Sequence, residues 1–228
     1  SQSGDVDVYN TAVGYNAGAA VTTGIQNTII GGLAGDSLTT GSFNVALGMG
    51  ALTNDDVGSK TTAIGYDALS SQNYASATDS YNTAVGYDAG NAVTTGIQNT
   101  LIGGLAGDAI TTASYNTAVG YGSLTANTTG ADNTAVGRTA LENNTTADNN
   151  TAVGKAALAQ NTTGASNTAL GSLALNLNTT GTQNTAVGTN AGDAITTGNY
   201  NVGLGNNAIG AVTTGSNNVG LGVQALFN

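Results

Sequence analysis

The motif Tyr-Asn-Thr-Ala-Val-Gly that begins at Tyr9 returns with variations along the whole chain. Eleven of the twelve intervals between successive copies are 17 residues, and the interval from Thr61 to Asn82 is 21. A period this strict predicts a repeat array in which each unit packs mainly on its neighbours. The thirteen copies, counted from the motif asparagine or its substitute, start at Asn10, Asn27, Asn44, Thr61, Asn82, Asn99, Asn116, Asn133, Asn150, Asn167, Asn184, Asn201 and Asn218.

Within one repeat the residue pattern indicates short strands and sharp corners. Numbered from the asparagine as position 0, position 1 is usually Thr, position 2 usually Ala, position 3 Val, Ile or Leu, and position 4 always Gly. Alternation over these residues is typical of a strand. Gly at position 4 and again at position 14 predicts two corners or positive φ angles. The sequence therefore predicts an all-β fold, a parallel β-solenoid of about thirteen coils, roughly 60 Å long at ~4.8 Å per coil.

The aliphatic residue at position 3 is the predicted core of this solenoid, with one side chain per coil in a shared dry interior. Exposure of these side chains to water would contradict the prediction. The predicted core residues are Val13, Ile30, Leu47, Ile64, Val85, Ile102, Val119, Val136, Val153, Leu170, Val187, Leu204 and Leu221.

Positions 8 and 11 vary together. Where position 8 is Gly, position 11 is aliphatic, as in Gly192 and Ile195. Where position 8 is Leu, position 11 is Asn or Asp, as in Leu158 and Asn161, outside the irregular repeat at 61–81; Ile209 with Val212 is an exception. Since close-packed interiors tolerate volume-conserving exchange, we infer that the two positions fill one slot inside the coil. On this hypothesis Leu158→Gly destabilises the protein and Asn161→Val partly restores its stability.

The chain is predicted to comprise a lead-in strand over 1–8 and one solenoid domain over 9–228, with an insertion loop at 70–80. The insertion is either neutral or marks a binding face, where solenoid insertions often lie. Residues 81–115 repeat 9–43 almost letter for letter, which indicates that several coils were duplicated together.

Composition excludes several classes of function. The net charge is −10, and Lys60, Arg138 and Lys155 are the only basic residues, so neither nucleic acid nor an anionic membrane surface is an expected partner. No apolar run is long enough for a membrane helix. Without His or Cys, the usual nucleophile, base and metal arrangements are missing. We therefore predict no cofactor, no metal site and no enzymatic activity.

The Thr-Thr pairs at positions 12 and 13 are the candidate binding feature. Stacked about 4.8 Å apart, one Thr of each pair could form a ladder that binds ice or a crystalline polysaccharide. The same pairs are also typical of turns, in which a hydroxyl bonds to the backbone. The candidate ladder is Thr22, Thr39, Thr94, Thr111, Thr128, Thr145, Thr162, Thr179, Thr196 and Thr213.

Two further columns have structural and functional interpretations. The asparagines at position 0 are predicted to form a stacked amide ladder. Tyr15, Tyr66, Tyr87 and Tyr121 share position 5. Such tyrosines either pack at corners or, where exposed, stack on sugars.

The motif Asn-Thr-Ala-Val-Gly, followed by Ala at position 7, resembles the head repeats of YadA-type trimeric autotransporter adhesins. It is more similar still to repeats of bacteriophage tail fibres, and 116–130 and 133–164 carry that pattern well. The resemblance implies a left-handed parallel β-roll in which three chains form a rigid extracellular rod. The 17-residue period is longer than the usual adhesin repeat, and no coiled-coil heptads accompany it.

These observations predict a structural or adhesive subunit of an extracellular fibre or filament. Its expected partners are copies of itself, in a lateral trimer or stacked end to end, and a glycan or receptor on a host surface. The alternative is an ice-binding or glycan-binding solenoid that uses the Thr-Thr ladder.

Overall fold

The computed structural model describes residues 8–227, and all of its regular elements are short strands. The chain divides into two compact units, one ending at Tyr115 and one beginning at Asn116. The first unit contains β1 Thr11–Val13, β2 Thr28–Ile30, β3 Val45–Leu47, β4 Gly58–Ser59, β5 Thr62–Ile64, β6 Thr78–Asp79, β7 Thr83–Val85 and β8 Thr100–Ile102. The second contains β9 Thr117–Val119, β10 Thr134–Val136, β11 Thr151–Val153, β12 Thr168–Leu170, β13 Thr185–Val187, β14 Val202–Leu204 and β15 Val219–Leu221.

Within each unit, every motif forms one strand that pairs in parallel with the equivalent strand of the next repeat. Thr11 lies opposite Thr28 in the first unit, and Thr134 lies opposite Thr151 in the second. Because the register shift equals one repeat, identical positions stack in columns. The predicted parallel β-solenoid is confirmed, and its thirteen motif strands delimit about 12 turns. The predicted lead-in strand over 1–8 lies almost wholly outside the described residues, and the single domain over 9–228 stays a prediction.

The corners of the coil are fixed by columns of residues with positive φ. Glycine at position 4 has φ between 114° and 145° in every repeat, as predicted. All the non-glycine residues with positive φ fall at three further positions: the residue before the motif asparagine, position 6 and position 8. The glycine at position 14 has a different role, because a Cβ on Gly24 or Gly164 would collide with a carbonyl oxygen of the next coil. The coil thus turns mainly at residues of ordinary type held in the left-handed region.

The prediction that position 3 forms the core is wrong. Eight of the thirteen side chains are exposed by 36–65%, and the remaining five are half-buried. Positions 0 and 2 of the same strand face inward instead, and Ala135 is completely buried between two outward-facing neighbours. The misplaced residues are Val13, Ile30, Leu47, Ile64, Val85, Ile102, Val119, Val136, Val153, Leu170, Val187, Leu204 and Leu221.

The actual interior is built from small and large residues that compensate for one another. Alanine fills position 2 and position 7 in most coils, and a large aliphatic side chain comes from position 8 or position 11. A Cβ on Gly203 at position 2 would lie 2.6 Å from the side chain of Ile209 at position 8. A Cβ on Gly107 at position 8 would lie 2.8 Å from both Leu101 and Ile110. Positions 2, 8 and 11 therefore share one volume, which extends the predicted slot by a third position.

The motif asparagine links each coil to itself and to its neighbour. Asn150 Nδ2 donates to the carbonyl oxygen of Gly164 in its own coil at 2.9 Å. Its Oδ1 accepts from the backbone nitrogen of Asn167 in the next coil, also at 2.9 Å. The same pair of bonds recurs along the column, and Asn27 shows both. The predicted amide ladder is thus present, and it is buried.

A second amide ladder runs at position 11 of the second unit. Asn127, Asn144, Asn161 and Asn178 are each completely buried. Successive members are joined by Nδ2 to Oδ1 bonds of 2.8–3.0 Å, and each Nδ2 also donates to the position 14 carbonyl of its own coil. The ladder ends where Ile195 takes position 11, and there Asn178 Oδ1 lacks a partner among the described residues. Asn161→Val would therefore break hydrogen bonds as well as fill space.

We expect the slot to be exchangeable at the end of this ladder. Leu175→Gly removes a buried side chain, but it also relieves a positive φ that is unfavourable for leucine. The net result should be a loss of about 2–3 kcal/mol in the free energy of unfolding. Adding Asn178→Ile reproduces the combination of Gly192 and Ile195 in the next coil and should restore at least half of that loss. The number of unpaired amide oxygens stays at one, because Asn161 Oδ1 replaces Asn178 Oδ1. Denaturant unfolding of the wild type, single and double variants measures the rescue.

The matched control makes the same exchange in mid-ladder. In the double variant Leu158→Gly and Asn161→Ile, Asn144 Oδ1 loses its donor while Asn178 Oδ1 remains unpaired. Rescue should therefore be smaller by about 1–2 kcal/mol, since a buried unpaired acceptor keeps its desolvation penalty. Equal rescue at both sites would contradict the ladder, and no rescue at either would contradict the shared slot.

Candidate interaction surfaces

The hydroxyls of the candidate threonine ladder are occupied by bonds between coils. Thr162 Oγ1 donates to the carbonyl oxygen of Thr179 at 3.0 Å, and Thr179 Oγ1 donates to that of Thr196 at 3.1 Å. The equivalent bond is made by Thr22, Thr39, Thr94, Thr128, Thr145 and Thr196. Most of these side chains are half-buried. Position 12 therefore bonds to the backbone of the next coil and not to its own turn, and its hydroxyls are not presented as a free row.

The exposed threonines are those at position 13, directly after the candidate ladder. In the second unit they occupy six successive coils without interruption, and none of their hydroxyls has a hydrogen bond to another described residue. The position 13 column of this unit is Thr129, Thr146, Thr163, Thr180, Thr197 and Thr214. Alternation lets one threonine of each pair face water, and in most coils this residue is at position 13 and not at position 12 of the candidate ladder. The missing signal was the carbonyl of the next coil, which only the stacking geometry brings within reach of position 12.

The outer face of the motif strands is uncharged and carries an aliphatic column. Position 3 presents Val, Ile or Leu, and position 1 presents Thr or Val. We call this surface the aliphatic face. In the second unit it runs over seven consecutive strands, β9 to β15, and in the first over the six motif strands. Exposed aliphatic residues in an unbroken array are typical of contact surfaces.

Position 5 carries four exposed tyrosines. The rings of Tyr66 and Tyr87 on adjacent coils are stacked, with centroids 5.3 Å apart and planes within 10°. Asp88 lies beside them at position 6, and its carboxylate raises the pKa of Tyr87. These tyrosines do not pack at corners as a buried layer, because all four at this position are exposed.

In the 70–80 insertion, Gln72, Tyr74 and Ser80 are buried, and the middle of the segment is exposed. Ala75, Ser76 and Ala77 are exposed, so the extra residues leave the coil as a loop. Gln72 and Tyr74 turn back into the interior, where Tyr74 is 5% exposed and its hydroxyl donates to the carbonyl oxygen of Gly96 at 2.9 Å. Only the presence of Gln and Tyr among small residues could have indicated this inward turn beforehand.

Inside the insertion a hydrogen-bonded network replaces the missing motif asparagine at Thr61. Gln72 Nε2 donates to Asp55 Oδ2 at 2.7 Å and to Thr61 Oγ1 at 3.0 Å. Gln72 Oε1 accepts from Asn82 Nδ2 at 2.8 Å, and the Ser80 hydroxyl accepts from the Asn82 backbone. Burial raises the pKa of Asp55 despite two hydrogen bonds to its carboxylate. The network closes the coil, and all of its side chains are engaged with one another.

Ionic groups at the surface are few. Lys60 Nζ lies 2.6 Å from Asp79 Oδ2 and also bonds to the Tyr81 hydroxyl, and these contacts raise the pKa of Lys60. Among residues 8–227, no cluster of three or more acidic side chains is placed to hold a metal ion. Over the same residues there is no helix with the length and hydropathy that crossing a membrane requires.

No protein-family model, curated protein or solved structure matches this chain. The similarity to adhesin heads and phage tail fibres therefore rests on the motif itself.

We expect Asp55 to make stability fall as pH rises through mildly acidic values. Its pKa is higher in the folded than in the unfolded protein, so between the two values the folded state binds more protons and loses stability with increasing pH. Asp55→Asn removes this dependence and should raise the melting temperature near pH 7, while the two proteins converge as the pH falls below the pKa of Asp55 in the unfolded protein, where the carboxyl is protonated in both states. Thermal unfolding followed by circular dichroism between pH 4 and 8 gives the difference curve.

The control is Asp132→Asn, at an exposed position where the next repeat carries Asn149. This variant should track the wild type at every pH. A difference curve for Asp55→Asn that is flat, or that shows the variant less stable at pH 7, would contradict the assigned effect of burial.

Proposed function

We propose that the protein is a structural and adhesive subunit of an extracellular fibre or filament, and that it associates with copies of itself. The observation that carries the proposal is the aliphatic face. A coil needs an inward apolar side chain at position 8 or 11 to fill its interior, yet it also carries Val, Ile or Leu outward at position 3. That second apolar column contributes little to the interior, so it supports a role in contact with another chain.

The size of the face fits repeated rather than single-point contact. Each strand contributes about 10 Å along its length and ~4.8 Å to the next strand, so seven strands offer about 300 Å². A stable pairwise interface buries about 800 Å² per partner. The aliphatic face of one unit supplies less than half of that, so firm association should bury further surface beside the face. In a lateral trimer each chain would make such contacts with two neighbours.

The absence of charge on the face also favours association of identical chains. With a net charge of −10, like chains repel at long range. The motif strands carry no ionisable residue at positions 1 to 3, so contact there places no like charges opposite one another. Resemblance to adhesin heads and phage fibres supports the same arrangement and an extracellular location. In such a fibre the subunit would extend or present a surface that recognises a host glycan or receptor.

Charges placed on the aliphatic face should abolish assembly without unfolding the coils. We choose Val136→Lys, Leu170→Lys and Leu204→Lys together, on alternate strands, so that the new charges are about 10 Å apart. The wild type should sediment as a multiple of the chain mass and form rods or filaments by electron microscopy. The triple variant should sediment as a single chain with an unchanged β-sheet circular dichroism spectrum.

The control places three lysines on the same coils but at position 13, as Thr146→Lys, Thr180→Lys and Thr214→Lys. It has the same charge and should assemble like the wild type. A wild type that remains a single chain at micromolar concentration, or a face variant that assembles normally, would refute the proposal.

The second candidate function is ice binding by the position 13 threonines of the second unit. Six exposed hydroxyls and methyls repeat at one coil spacing, and none is engaged by the described part of the protein. A regular array of this kind could order water along the column. This candidate replaces the position 12 ladder, whose hydroxyls bond to the backbone.

Thermal hysteresis tests the second candidate directly. Wild type should depress the freezing point below the melting point, and Thr163→Lys should reduce this gap by interrupting the array in the middle. Gln183→Lys, exposed at a position where another repeat carries Lys60, should leave the gap unchanged. A wild type with no hysteresis at millimolar concentration excludes ice binding and leaves the fibre proposal untouched.

A further inference from the structure

The position 5 column of the first unit holds aromatic rings that face along the column. Tyr66 and Tyr87 stack face to face on adjacent coils, so the second face of Tyr87 is directed at position 5 of the next coil. That position is Gly104. The same succession occurs near the start of the chain, where Tyr15 is followed one coil later by Gly32. A ring that lies parallel to this stacked pair therefore has one uncovered face at Tyr15 and one at Tyr87.

Exposure follows the neighbours in the column. Tyr66 lies between Met49 and Tyr87 and is 44% exposed, whereas Tyr87, with a glycine on one side, is 58% exposed. Tyr15, which precedes a glycine and belongs to the first coil, is 77% exposed. Two copies of the motif carry glycine at position 5, and both directly follow a tyrosine.

Neither the backbone conformation nor the packing requires glycine at residue 32. Its φ is outside the left-handed region, and a Cβ built on it meets no atom within 4 Å. Other coils carry Ser172 or Thr189 at the same position. A side chain would fit at Gly32, and its effect would be to cover the ring of Tyr15. We infer that the glycine keeps that ring face open.

The opening at Gly32 matches the thickness of one flat ring. Tyr15, Gly32 and Met49 occupy successive coils, so the outer two positions are about 9.6 Å apart. Van der Waals contact takes about 3.5–4.0 Å on each side of an inserted ring. The tyrosine ring and the methionine thioether, which is 55% exposed, form the two walls. Two exposed residues are near in sequence, because Ile30 precedes Gly32 by two residues and Asn16 directly follows Tyr15.

Polar groups beside the opening favour a neutral ligand with hydroxyls. Asn16 flanks Tyr15, and Asp88 takes the equivalent place beside Tyr87, so the two openings share an acceptor but not a charge. No basic residue occupies position 5 or 6 in the first unit. The lack of a cation at these positions disfavours a ligand with a phosphate group, including a nucleotide. Pyranose rings combine an apolar C–H face, attracted to the negative face of an aromatic ring, with hydroxyls at the rim.

We propose that the open faces of Tyr15 above Gly32 and of Tyr87 above Gly104 each bind a pyranose ring of a neutral glycan. The two sites lie in the duplicated segments 9–43 and 81–115, so they were copied together with their coils. Four coil spacings separate them, about 19 Å. A single oligosaccharide long enough to reach both sites gains affinity from its second contact. This inference goes beyond the fibre proposal, because it requires neither assembly nor the aliphatic face.

Binding is tested with β-1,4-linked hexasaccharides of glucose, N-acetylglucosamine, mannose and galactose. The chain has nine Tyr and no Trp, so tyrosine fluorescence and the aromatic resonances of Tyr15 and Tyr87 report the contact directly. At least one probe should give saturable shifts at both tyrosines. Gly32→Ser combined with Gly104→Ser should weaken binding by about tenfold or more, because the serine side chains cover the rings. Gly32→Ser alone should abolish the response of Tyr15 and retain that of Tyr87.

Two further variants test whether the glycan binds at Tyr15 and Tyr87 rather than at any exposed tyrosine. Tyr200→Asn removes a tyrosine that is 55% exposed but precedes the motif asparagine, where another coil carries Asn149, and it should bind like the wild type. Tyr15→Thr combined with Tyr87→Thr should not bind, and Thr189 shows that the coil accommodates the substitution. Absence of saturable shifts with all four probes, or unchanged affinity in the double serine or double threonine variant, would overturn the proposal. The outcome does not depend on whether the chain assembles, so it is distinguishable from failure of the fibre proposal.

Discussion

The motif asparagine is the interaction on which the rest of the coil depends. Its amide donates to a carbonyl of its own coil and accepts from the backbone of the next, as Asn150 does with Gly164 and Asn167. Both bonds are buried, where water cannot compete with them and where a missing partner is costly. The one repeat that lacks the asparagine supports this view, because Thr61 is accompanied by Gln72, Tyr74 and Ser80 turned into the same space. Four extra residues and three buried polar side chains replace one amide.

The narrow interior explains why so much aliphatic surface remains outside. Alanines at positions 2 and 7 leave room in most coils for one large side chain, which comes from position 8 or position 11. The two coils with Ile29 and Leu101 at position 2 bury a second one, beside Leu38 and Ile110. Once that volume is filled, the aliphatic residue at position 3 has no space inside. Its outward column gives the protein a face suited to contact, while the small interior limits how much stability each coil can draw from apolar burial.

The sequence was sufficient to predict the parallel solenoid, its period and the positive φ of the glycine at position 4, because these follow from the spacing of identical residues. It was not sufficient to decide which side of the strand faces inward. Alternation places Asn10 and Ala12 opposite Thr11 and Val13, but hydropathy then favours valine as the buried residue, and this choice was wrong. The decisive signal was the hydrogen-bonding capacity of asparagine, which needs buried carbonyls that appear only when the coil closes. The same reason hid the role of Thr162, whose acceptor lies one turn away in Thr179.

Nearly every side-chain bond in the array joins residues separated by one period or lying within one coil. Excising a whole coil, or copying one, therefore brings equivalent donors and acceptors together again and leaves no group stranded, except where a ladder ends as at Asn178. The number of coils can therefore change by whole turns without loss of these bonds, through recombination between near-identical stretches of the gene. The second occurrence of 9–43 at 81–115 is what such copying leaves behind, and any feature on those coils is multiplied with them.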